Sequence, residues 1–376
     1  MHLQSLHLTN FKNYGECDLD FSPGINCFVG NNGVGKTNVL DAIHYLSLTK
    51  SFFNQTEGLS IQHDKDFFII NGVFSDDYGE DSIVCSFIRQ KQKTVKRNGK
   101  EYERLSDHIG RYPAVMVSPA DSSLVTGGSE ERRKFLNKII SQYSSEYLDA
   151  LLNYNRALQA RNKLLKTYSS MPRYDEEMLS SYDLQLHRYA DIIHRERRLL
   201  VDRLIPVFQD YYDTISMKRE RVELVYQSQL SGSSLGDLLS ESRERDRYLQ
   251  FTTVGIHRDD LIFKMGGYPV RQLGSQGQQK SYLLALKLAK FGFISEMTGL
   301  TPMLLLDDLF DKFDADRVEQ LIRLVGNSRF GQIFITDTHQ SRLQMILEGS
   351  TTDFKLFRIG QDGVEEIIRN GSNEKK

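Results

Sequence analysis

Short apolar runs separated by turn signals dominate the first third of the chain. Residues 1–118 are mostly strand-like, and Ile25–Val29 is the most compact apolar run among them. A glycine-rich loop follows this strand at once, and apolar residues then recur at helical spacing over 39–46. Asn98-Gly99 lies between two further strand-like runs, a pattern that predicts a hairpin turn.

The pattern changes to long helical periods in the middle of the chain. Leucine and isoleucine recur at helical spacing through 130–168 and again through 176–228, and residues 169–174 break the two stretches. This arrangement predicts a helical hairpin or a small helical lobe.

Strand–helix alternation returns from about residue 252. The segments predicted there are a helix over 278–296, a strand over 302–306, a helix over 318–325 and a strand over 333–336. Two α/β stretches that flank a helical middle predict one discontinuous α/β core, 1–118 and 252–376. A mainly helical lobe, 119–251, would be inserted into it.

Composition narrows the class of protein. The 376 residues carry 48 basic and 50 acidic side chains, a formal charge of −2. This balance excludes a uniformly basic nucleic-acid coat protein but permits a local basic patch. Three cysteines without metal-ligand spacing indicate neither a disulfide framework nor a zinc site. Without a long apolar span or a signal-peptide pattern, we expect a cytoplasmic protein with no membrane partner.

The strongest chemical motif follows the first compact strand. Gly30-Asn31-Asn32-Gly33-Val34-Gly35-Lys36-Thr37 fits the phosphate-binding pattern G-x-x-x-x-G-K-[ST] in full. Its glycines let backbone N–H groups curl around phosphate oxygens, and Lys36 reaches the β- and γ-phosphates. The Thr37 hydroxyl suits Mg²⁺, and the helix N-terminus with Asn38 adds a positive dipole. We therefore expect ATP and Mg²⁺ here, with Lys36 also acting in catalysis.

An acidic pair, Asp307-Asp308, ends the predicted strand over 302–306. Asp307 would hold the metal, and Asp308 would be the catalytic carboxylate that orients or deprotonates the attacking water. The alternative is a buried strand that ends in a solvated acidic turn, since further aspartates follow. Asp307 lies 271 residues after Lys36, so an insertion of domain size separates the two halves of the site.

A third motif, Ser275-Gln276-Gly277-Gln278, lies 30 residues before Asp308, at the start of a predicted helix. Alone it could equally be a helix N-cap. With the other motifs, in this order, it resembles the signature of ABC-type ATPases. That resemblance implies contact of Ser275, Gly277 and Gln278 with the nucleotide bound by a second protomer. It also implies a dimer interface formed by Ser275, Gln276, Gly277 and, at the D-loop position, Asp314.

The chain as a whole resembles the RecF family, bacterial DNA replication and repair ATPases of the ABC and SMC class. The matching segments are 6–14, 118–121, 132–136, 255–260, 275–280 and 305–308. The resemblance implies an α/β fold, an ABC-type P-loop ATPase head with an inserted helical lobe, similar to the head of Rad50. It also implies an ATP-dependent homodimer on single-stranded or gapped duplex DNA. Slow, DNA-stimulated hydrolysis would release the dimer, and RecO and RecR would be partners in loading recombinase.

A local basic cluster coincides with the predicted hairpin. Residues 89–104 carry seven basic side chains against Glu101 and Glu103. Lys91 and Lys93 have period 2 and would share one face of a strand. An edge strand protected by lysines explains the pattern equally well. The candidate DNA-binding residues are Lys91, Lys93, Lys96 and Arg97.

Three further features favour structural interpretations. The run Arg195-Glu196-Arg197-Arg198 favours a solvated helix face over a DNA contact. For His257-Arg258-Asp259-Asp260 the structural alternative is a salt-bridge turn, and the sequence alone assigns the segment no role. His339 lies two residues later than the switch histidine of many ABC ATPases, so we expect a surface histidine.

Other classes of protein share parts of this pattern. The nucleotide-binding subunit of an ABC transporter has all three motifs, but it lacks a helical insertion of this size and usually carries glycine where Gln276 stands. An SMC arm protein would need sustained heptads, which 119–251 does not contain. A scaffold that binds nucleotide without hydrolysis also stays open at this stage.

Overall fold

The computed structural model describes residues 1–54, 56–168, 176–217, 220–309, 317, 320, 324, 330–348, 353–360 and 363–370. The chain forms two compact units. The first comprises Met1–Asp121, Tyr211–Lys218 and Lys280–Lys376. The second comprises Ser122–Asp210 and Arg219–Gln279.

An antiparallel six-stranded sheet of order β2-β1-β4-β5-β6-β7 lies in the first unit. Its strands are β1 (His2–Phe11), β2 (Tyr14–Asp20), β4 (Phe67–Asp76), β5 (Gly79–Ile88), β6 (Thr94–Arg97) and β7 (Lys100–Glu101). In β4 nearly every second side chain is buried, as expected for a sheet with one covered face. The predicted hairpin is confirmed, since Asn98 and Gly99, both at positive φ, connect β6 to β7.

The second six-stranded sheet of this unit has the order β15-β14-β3-β13-β12-β8. Its strands are β3 (Ile25–Val29), β8 (Ala114–Val117), β12 (Met303–Leu306), β13 (Ile333–Asp337), β14 (Phe354–Gly360) and β15 (Gly363–Asn370). All neighbouring pairs are parallel except β14 with β15. Strands β3, β8, β12 and β13 are buried at every position, as expected for their mainly apolar sequences, and the polar exceptions Asn26, Thr336 and Asp337 are buried too.

The helices described along the chain differ widely in length. They are α1 (Lys36–Leu48), α2 (Ser122–Thr126), α3 (Ser129–Ile140), α4 (Ser145–Tyr168), α5 (Glu176–Ser216), α6 (Leu235–Leu249), α7 (Val270–Leu273), α8 (Gln276–Thr298) and α9 (Gln340–Glu348). Helices α3 and α4 confirm the predicted helical stretch over 130–168, and α5 confirms the second stretch as far as Ser216. The prediction is wrong for 222–227, which forms a β-strand paired along its length with 260–265. The predicted break at 169–174 and most of the predicted helix at 318–325 lie outside the described residues.

Helix α1 contacts both sheets of the first unit and shares their apolar core. Every residue of α1 except Thr37 and Asn38 is buried, so the helix carries no solvated face. Its middle contains one carboxylate, Asp41, which is fully buried. The Asp41 carboxylate forms an ion pair with the Lys12 ammonium, with Nζ and Oδ2 2.6 Å apart. Thr37 and Asn38, at the N-terminal end of α1, are thereby its partly exposed residues.

The second unit contains a small sheet, β11-β10-β9, formed by β9 (Val222–Gln227), β10 (Asp260–Met265) and β11 (Tyr268–Pro269). Its division from the first unit differs from the predicted one, in which 119–251 was the insertion. Residues 260–269 belong with the second unit because β10 pairs along its length with β9. The alternation that returns at residue 252 therefore belongs first to this small sheet.

A buried arginine organises the polar interior of the second unit. Arg197 is 1% exposed and donates from Nη1 to the Asp259 carboxylate and to the Ile256 carbonyl, both at 2.8 Å. Asp259 also accepts a 2.6 Å hydrogen bond from Tyr226. The expectation of a solvated helix face at 195–198 is therefore wrong for Arg197. Its position is buried among the interior-facing residues of α5, while Arg195 and Arg198 are exposed.

The segment His257–Asp260 contains a salt-bridge turn, the structural alternative that the sequence left open. Asp259 forms an ion pair with Arg197. Arg132 forms a bidentate ion pair with Asp260, donating from Nε to Oδ1 at 2.7 Å and from Nη2 to Oδ2 at 2.9 Å. His257 accepts from the Tyr154 hydroxyl at Nδ1 and donates from Nε2 to the Thr252 carbonyl. Burial lowers the pKa of His257 to about 4, so the ring is neutral at pH 7.

Candidate nucleotide-binding site

The carboxyl ends of four buried parallel strands meet at one edge of the second sheet of the first unit. Val117, Leu306 and Ile335 are aligned in register across β8, β12 and β13, and Asp337 is aligned with Val29 of β3. Polar residues that directly follow such strands are brought together at this edge. This topology joins segments of the chain that are far apart in sequence.

The loop after β3 has backbone positions that only glycine fits easily. Gly33 and Gly35 have φ of +84° and +114°. A Cβ on Gly35 would lie 2.4 Å from the Asn13 side chain, and one on Gly30 would lie 2.4 Å from the Ile359 carbonyl oxygen. Glycine is therefore required at these positions for conformation and for close approach. Residues 31–33 at the crest of the loop are exposed.

Lys36 closes the loop from inside. Its ammonium donates to the carbonyl oxygens of Gly30 at 2.8 Å and Asn31 at 3.0 Å, and the residue is only 4% exposed. The cation is held by two neutral backbone acceptors and by no carboxylate in the described part of the chain. Phosphate oxygens can therefore replace these acceptors without leaving a second charge unpaired.

The turn between β1 and β2 supports the loop from outside. Asn13 donates to the Val34 carbonyl at 2.9 Å and accepts from the Asn38 side chain at 2.7 Å. The Tyr14 hydroxyl donates to the Gly35 carbonyl at 3.1 Å. These contacts fix the entry to α1.

The carboxylate of Asp307 is the centre of a hydroxyl cluster. Its Oδ1 accepts from Thr37 at 2.7 Å and from Thr336 at 2.9 Å, and its Oδ2 accepts from Ser118 at 3.1 Å. Thr37 and Asp307 are thus brought together across 270 positions of sequence. Ser118 and Thr336 were missed as site residues. The available signal was that each follows or ends an apolar strand, as the acidic pair does.

Asp308 has a strained backbone beside this cluster. It is a non-glycine residue with φ of +42°, and its N–H donates to the Thr336 hydroxyl at 3.0 Å. A left-handed conformation at such a residue costs about 1 kcal/mol or more and often marks functional positions. At this φ the backbone of Asp308 departs from the extended conformation of β12.

The donor set around Asp307 fits a magnesium ion. Thr37 supplies a hydroxyl and Asp307 a carboxylate, both hard oxygen donors, and they are in direct contact. Mg²⁺ prefers such ligands in small number, with water and phosphate oxygens in the remaining positions. Thr37 and Asp307 are therefore the residues of this chain that would hold it.

The predicted signature residues lie in the second unit, at the N-terminus of α8. The Ser275 hydroxyl accepts from the Gln278 N–H at 3.2 Å, and the Gln278 side chain accepts from the Ser275 N–H at 2.7 Å. This reciprocal pair is a capping arrangement. Ser275 and Gln276 are exposed, so the cap does not bury the motif. Asp314, the predicted D-loop residue, lies outside the described residues.

The basic cluster is smaller than its sequence suggests. Lys93 pairs with Glu57 at 2.7 Å, and Arg97 makes a two-pronged ion pair with Asp81 at 2.8 and 3.0 Å. Hydrogen bonds from Arg97 lower the pKa of Asp81 to about 2. The prediction that Lys91 and Lys93 share a strand face is wrong, because both precede β6, which begins at Thr94. Lys91 and Lys96 are exposed.

His339 is exposed, as expected, and its N–H donates to the buried Asp337 carboxylate at 2.8 Å. Within the described ranges, no helix combines the length and apolar character needed to cross a membrane.

Comparison with known proteins gives consistent matches. The family model described as the RecF/RecN/SMC N terminal domain matches residues 2–351. A protein of Phocaeicola vulgatus named DNA replication and repair protein RecF is 46% identical over 368 residues, covering 97% of this chain and 98% of its own. Its namesake in Parabacteroides distasonis is 48% identical over 367 residues, covering 98% and 100%.

Solved structures match over nearly the whole chain. One described as the recombination mediator protein RecF with ATP has a TM-score of 0.87 at 28% identity, with 98% of each chain covered. An Smc head domain from Pyrococcus furiosus has a TM-score of 0.57 at 15% identity, covering 97% and 96%, which shows the fold alone. The predicted fold class, an ABC-type ATPase head with a helical lobe, is confirmed by these matches.

Proposed function

The chain belongs to the RecF family, within the RecF/RecN/SMC group, and on this premise we propose an ATP-dependent DNA-binding protein of recombinational repair and replication-fork maintenance. The observation that carries the nucleotide part is the 2.7 Å hydrogen bond from Thr37 to Asp307. It joins the phosphate-binding loop to the acidic strand end, the two halves that an ATP site requires. The relatives' names support a place in DNA replication and repair.

The geometry of the first unit suits phosphoryl transfer to water. The loop N–H groups at 30–38 and the Lys36 ammonium would bind the β- and γ-phosphates. Magnesium, held by Thr37 and Asp307, would neutralise charge on the phosphates. Asp308, with its positive φ, would orient the attacking water and accept its proton.

We propose that ATP pairs two copies of the chain through the signature residues. The exposed Ser275, with Gly277 and Gln278, would contact the γ-phosphate held by the partner, and Gln276 and Asp314 would lie in the interface. The hydroxyl, the N–H groups and the helix N-terminus make a suitable anion site.

Ser275→Arg is expected to keep ATP affinity within about two-fold and to remove the ATP-dependent dimer. The side chain is exposed, so the larger residue folds without a clash but blocks the partner's phosphate. Sedimentation with and without ATP and DNA measures the result, with Gln272→Arg, another exposed residue close by, as the matched control. A wild-type protein that stays monomeric in every condition would contradict the dimer.

Hydrolysis is expected to be slow, below about 1 s⁻¹, the lower end of common enzyme turnover. Asp308 is one methylene shorter than the glutamate found at this position in transporters, so its carboxylate is less well placed to activate water. We expect DNA to increase the rate by stabilising the dimer. Single-turnover hydrolysis with and without gapped DNA measures both effects, and a rate of tens per second without DNA would contradict them.

For DNA contact, we propose the exposed lysines of the β6–β7 hairpin region, Lys91 and Lys96. Lys93 and Arg97 are engaged in ion pairs and would contribute less. Single-stranded or gapped duplex DNA is the proposed ligand, and RecO and RecR are the proposed partners in loading recombinase. The setting would be the cytoplasm.

Lys91→Glu with Lys96→Glu is expected to weaken ATP-dependent DNA binding. Each lost phosphate contact lowers the salt slope of log K by about 0.9, so the slope should fall by about two. Lys163→Glu with Lys166→Glu changes the charge equally at exposed positions of α4, away from the hairpin in sequence, and serves as control. Fluorescence anisotropy over a salt series measures the slopes, and an unchanged slope would reject this surface.

A further inference from the structure

Ser118 is placed to control the orientation of the Asp307 carboxylate. It follows β8 directly, is 3% exposed, and donates from Oγ to Asp307 Oδ2 at 3.1 Å. The two threonine donors, Thr37 and Thr336, both go to Oδ1. Among the residues the structure describes, Ser118 is thus the donor that holds the other oxygen.

Ser118 itself is held in a closed turn. Its N–H donates to the Asp121 carboxylate at 2.9 Å, and the Asp121 N–H donates back to the Ser118 carbonyl at 3.0 Å. Pro119 restricts the backbone between them. These contacts fix the backbone of Ser118, and its Oγ also accepts a hydrogen bond from the Ala120 N–H at 3.4 Å.

A buried ion pair fixes this turn. The Lys287 ammonium of α8 donates to the second oxygen of Asp121 and, at 3.1 Å, to the Met116 carbonyl of β8. Asp121 is 9% exposed and Lys287 5%. Burying two charges costs desolvation free energy that often cancels their attraction, so stability alone does not explain the pair. What the pair does supply is a defined position for Ser118 relative to β8.

We propose that Ser118 is a positioning residue for the metal-binding carboxylate, with the Asp121–Lys287 pair holding Ser118 in place. The terminal torsion of an aspartate is broad and nearly two-fold, so a carboxylate held at one oxygen can still turn. With donors at both oxygens, Asp307 keeps the edge carrying Thr37 directed toward the metal position. This inference rests on the proposed ATP and Mg²⁺ site and assigns that site a further residue.

The test is the Mg²⁺ dependence of ATP binding by the full chain. For Ser118→Ala we expect the Mg²⁺ concentration at half-saturation to rise about 10- to 100-fold, the usual effect of losing a partner of a metal ligand. Calorimetric ATP affinity in EDTA should stay within about two-fold of wild type. Ser118→Thr, which keeps the hydroxyl, should recover most of the effect. Ser86→Ala, which removes a hydroxyl bonded to Thr94 in the antiparallel sheet, should change neither quantity.

Three results would overturn the inference. The first is a wild-type Mg²⁺ dependence in Ser118→Ala. The second is an equal defect in the alanine and threonine variants, which would indicate side-chain volume as the cause. The third is a loss of ATP affinity in EDTA, which would indicate a structural role. Failure of the wild-type chain to bind ATP, with Mg²⁺ and in EDTA alike, would instead contradict the proposed function. The two failures are distinguishable, because this one is seen in the wild type and the others only in the variants.

Discussion

Lys36→Met is expected to lower the affinity for ATP with Mg²⁺ by about 100-fold. Lys36 is positioned inside the loop by two backbone carbonyls, where an incoming phosphate would meet its ammonium. Hydrogen bonds to charged groups contribute about 1.5–3 kcal/mol each. Losing two such bonds from Lys36 to the phosphates removes about 3 kcal/mol of binding free energy, which is about two orders of magnitude in affinity. Methionine keeps the length and the apolar stem, so the buried packing is largely retained.

Calorimetric titration with ATP and Mg²⁺ measures the change. Lys50→Met is the matched control, because Lys50 lies just beyond the other end of α1 and is exposed. The control should bind ATP as wild type does, and the Lys36 variant should also fail to form the ATP-dependent dimer in sedimentation. Wild-type affinity in Lys36→Met would show that the loop is not the phosphate site.

Arg197→Met is expected to destabilise the second unit by about 3–5 kcal/mol. The substitution leaves the Asp259 carboxylate buried without its cation, and removing one partner of a buried pair has about this cost. It also removes the hydrogen bonds from Arg197 to the Ile256 carbonyl and to Asn137. The turn His257–Asp260 would lose its main attachment to α5.

The measurement is urea unfolding at pH 7, followed by circular dichroism and by a probe in the second unit. Arg198→Met, one residue along α5, removes the same charge from an exposed position and should change the free energy of unfolding by no more than about 0.5 kcal/mol. An unfolding midpoint equal to that of the wild type in both variants would show that the buried network contributes little to stability. An equal loss of stability in both variants would show that either substitution perturbs α5 itself and that the ion pair is not the cause.

The phosphate-binding loop could be predicted in detail because its requirements are local. Positive φ at Gly33 and Gly35, a preceding apolar strand and a following helix are all encoded within about twenty consecutive residues. The hairpin at Asn98-Gly99 was predictable for the same reason. The parallel strands were recognisable from their continuous apolar runs, which indicate burial on both faces.

Residues defined by distant neighbours were not predictable in this way. Arg197 and Arg198 are adjacent arginines in one charged run, yet only the first is buried, on the interior face of α5, where Asp259 compensates its charge. The local sequence around Lys93 shows no partner for its charge, because the partner, Glu57, lies far away in sequence. The extent of the second unit was not predictable either. It depends on the antiparallel pairing of β10 with β9, two strands that are separated by a long stretch of sequence.

The sequence alone determined the α/β class, the phosphate-binding loop with Lys36 and Thr37, and the acidic strand end at Asp307. Each of these rests on short-range conformational preference or on apolar periodicity, which neighbouring residues specify. Tertiary structure decided that Thr37, Ser118 and Thr336 all donate to the Asp307 carboxylate. The physical reason is the parallel sheet, which aligns the carboxyl ends of strands that are distant along the chain and so assembles one polar cluster from four separate segments.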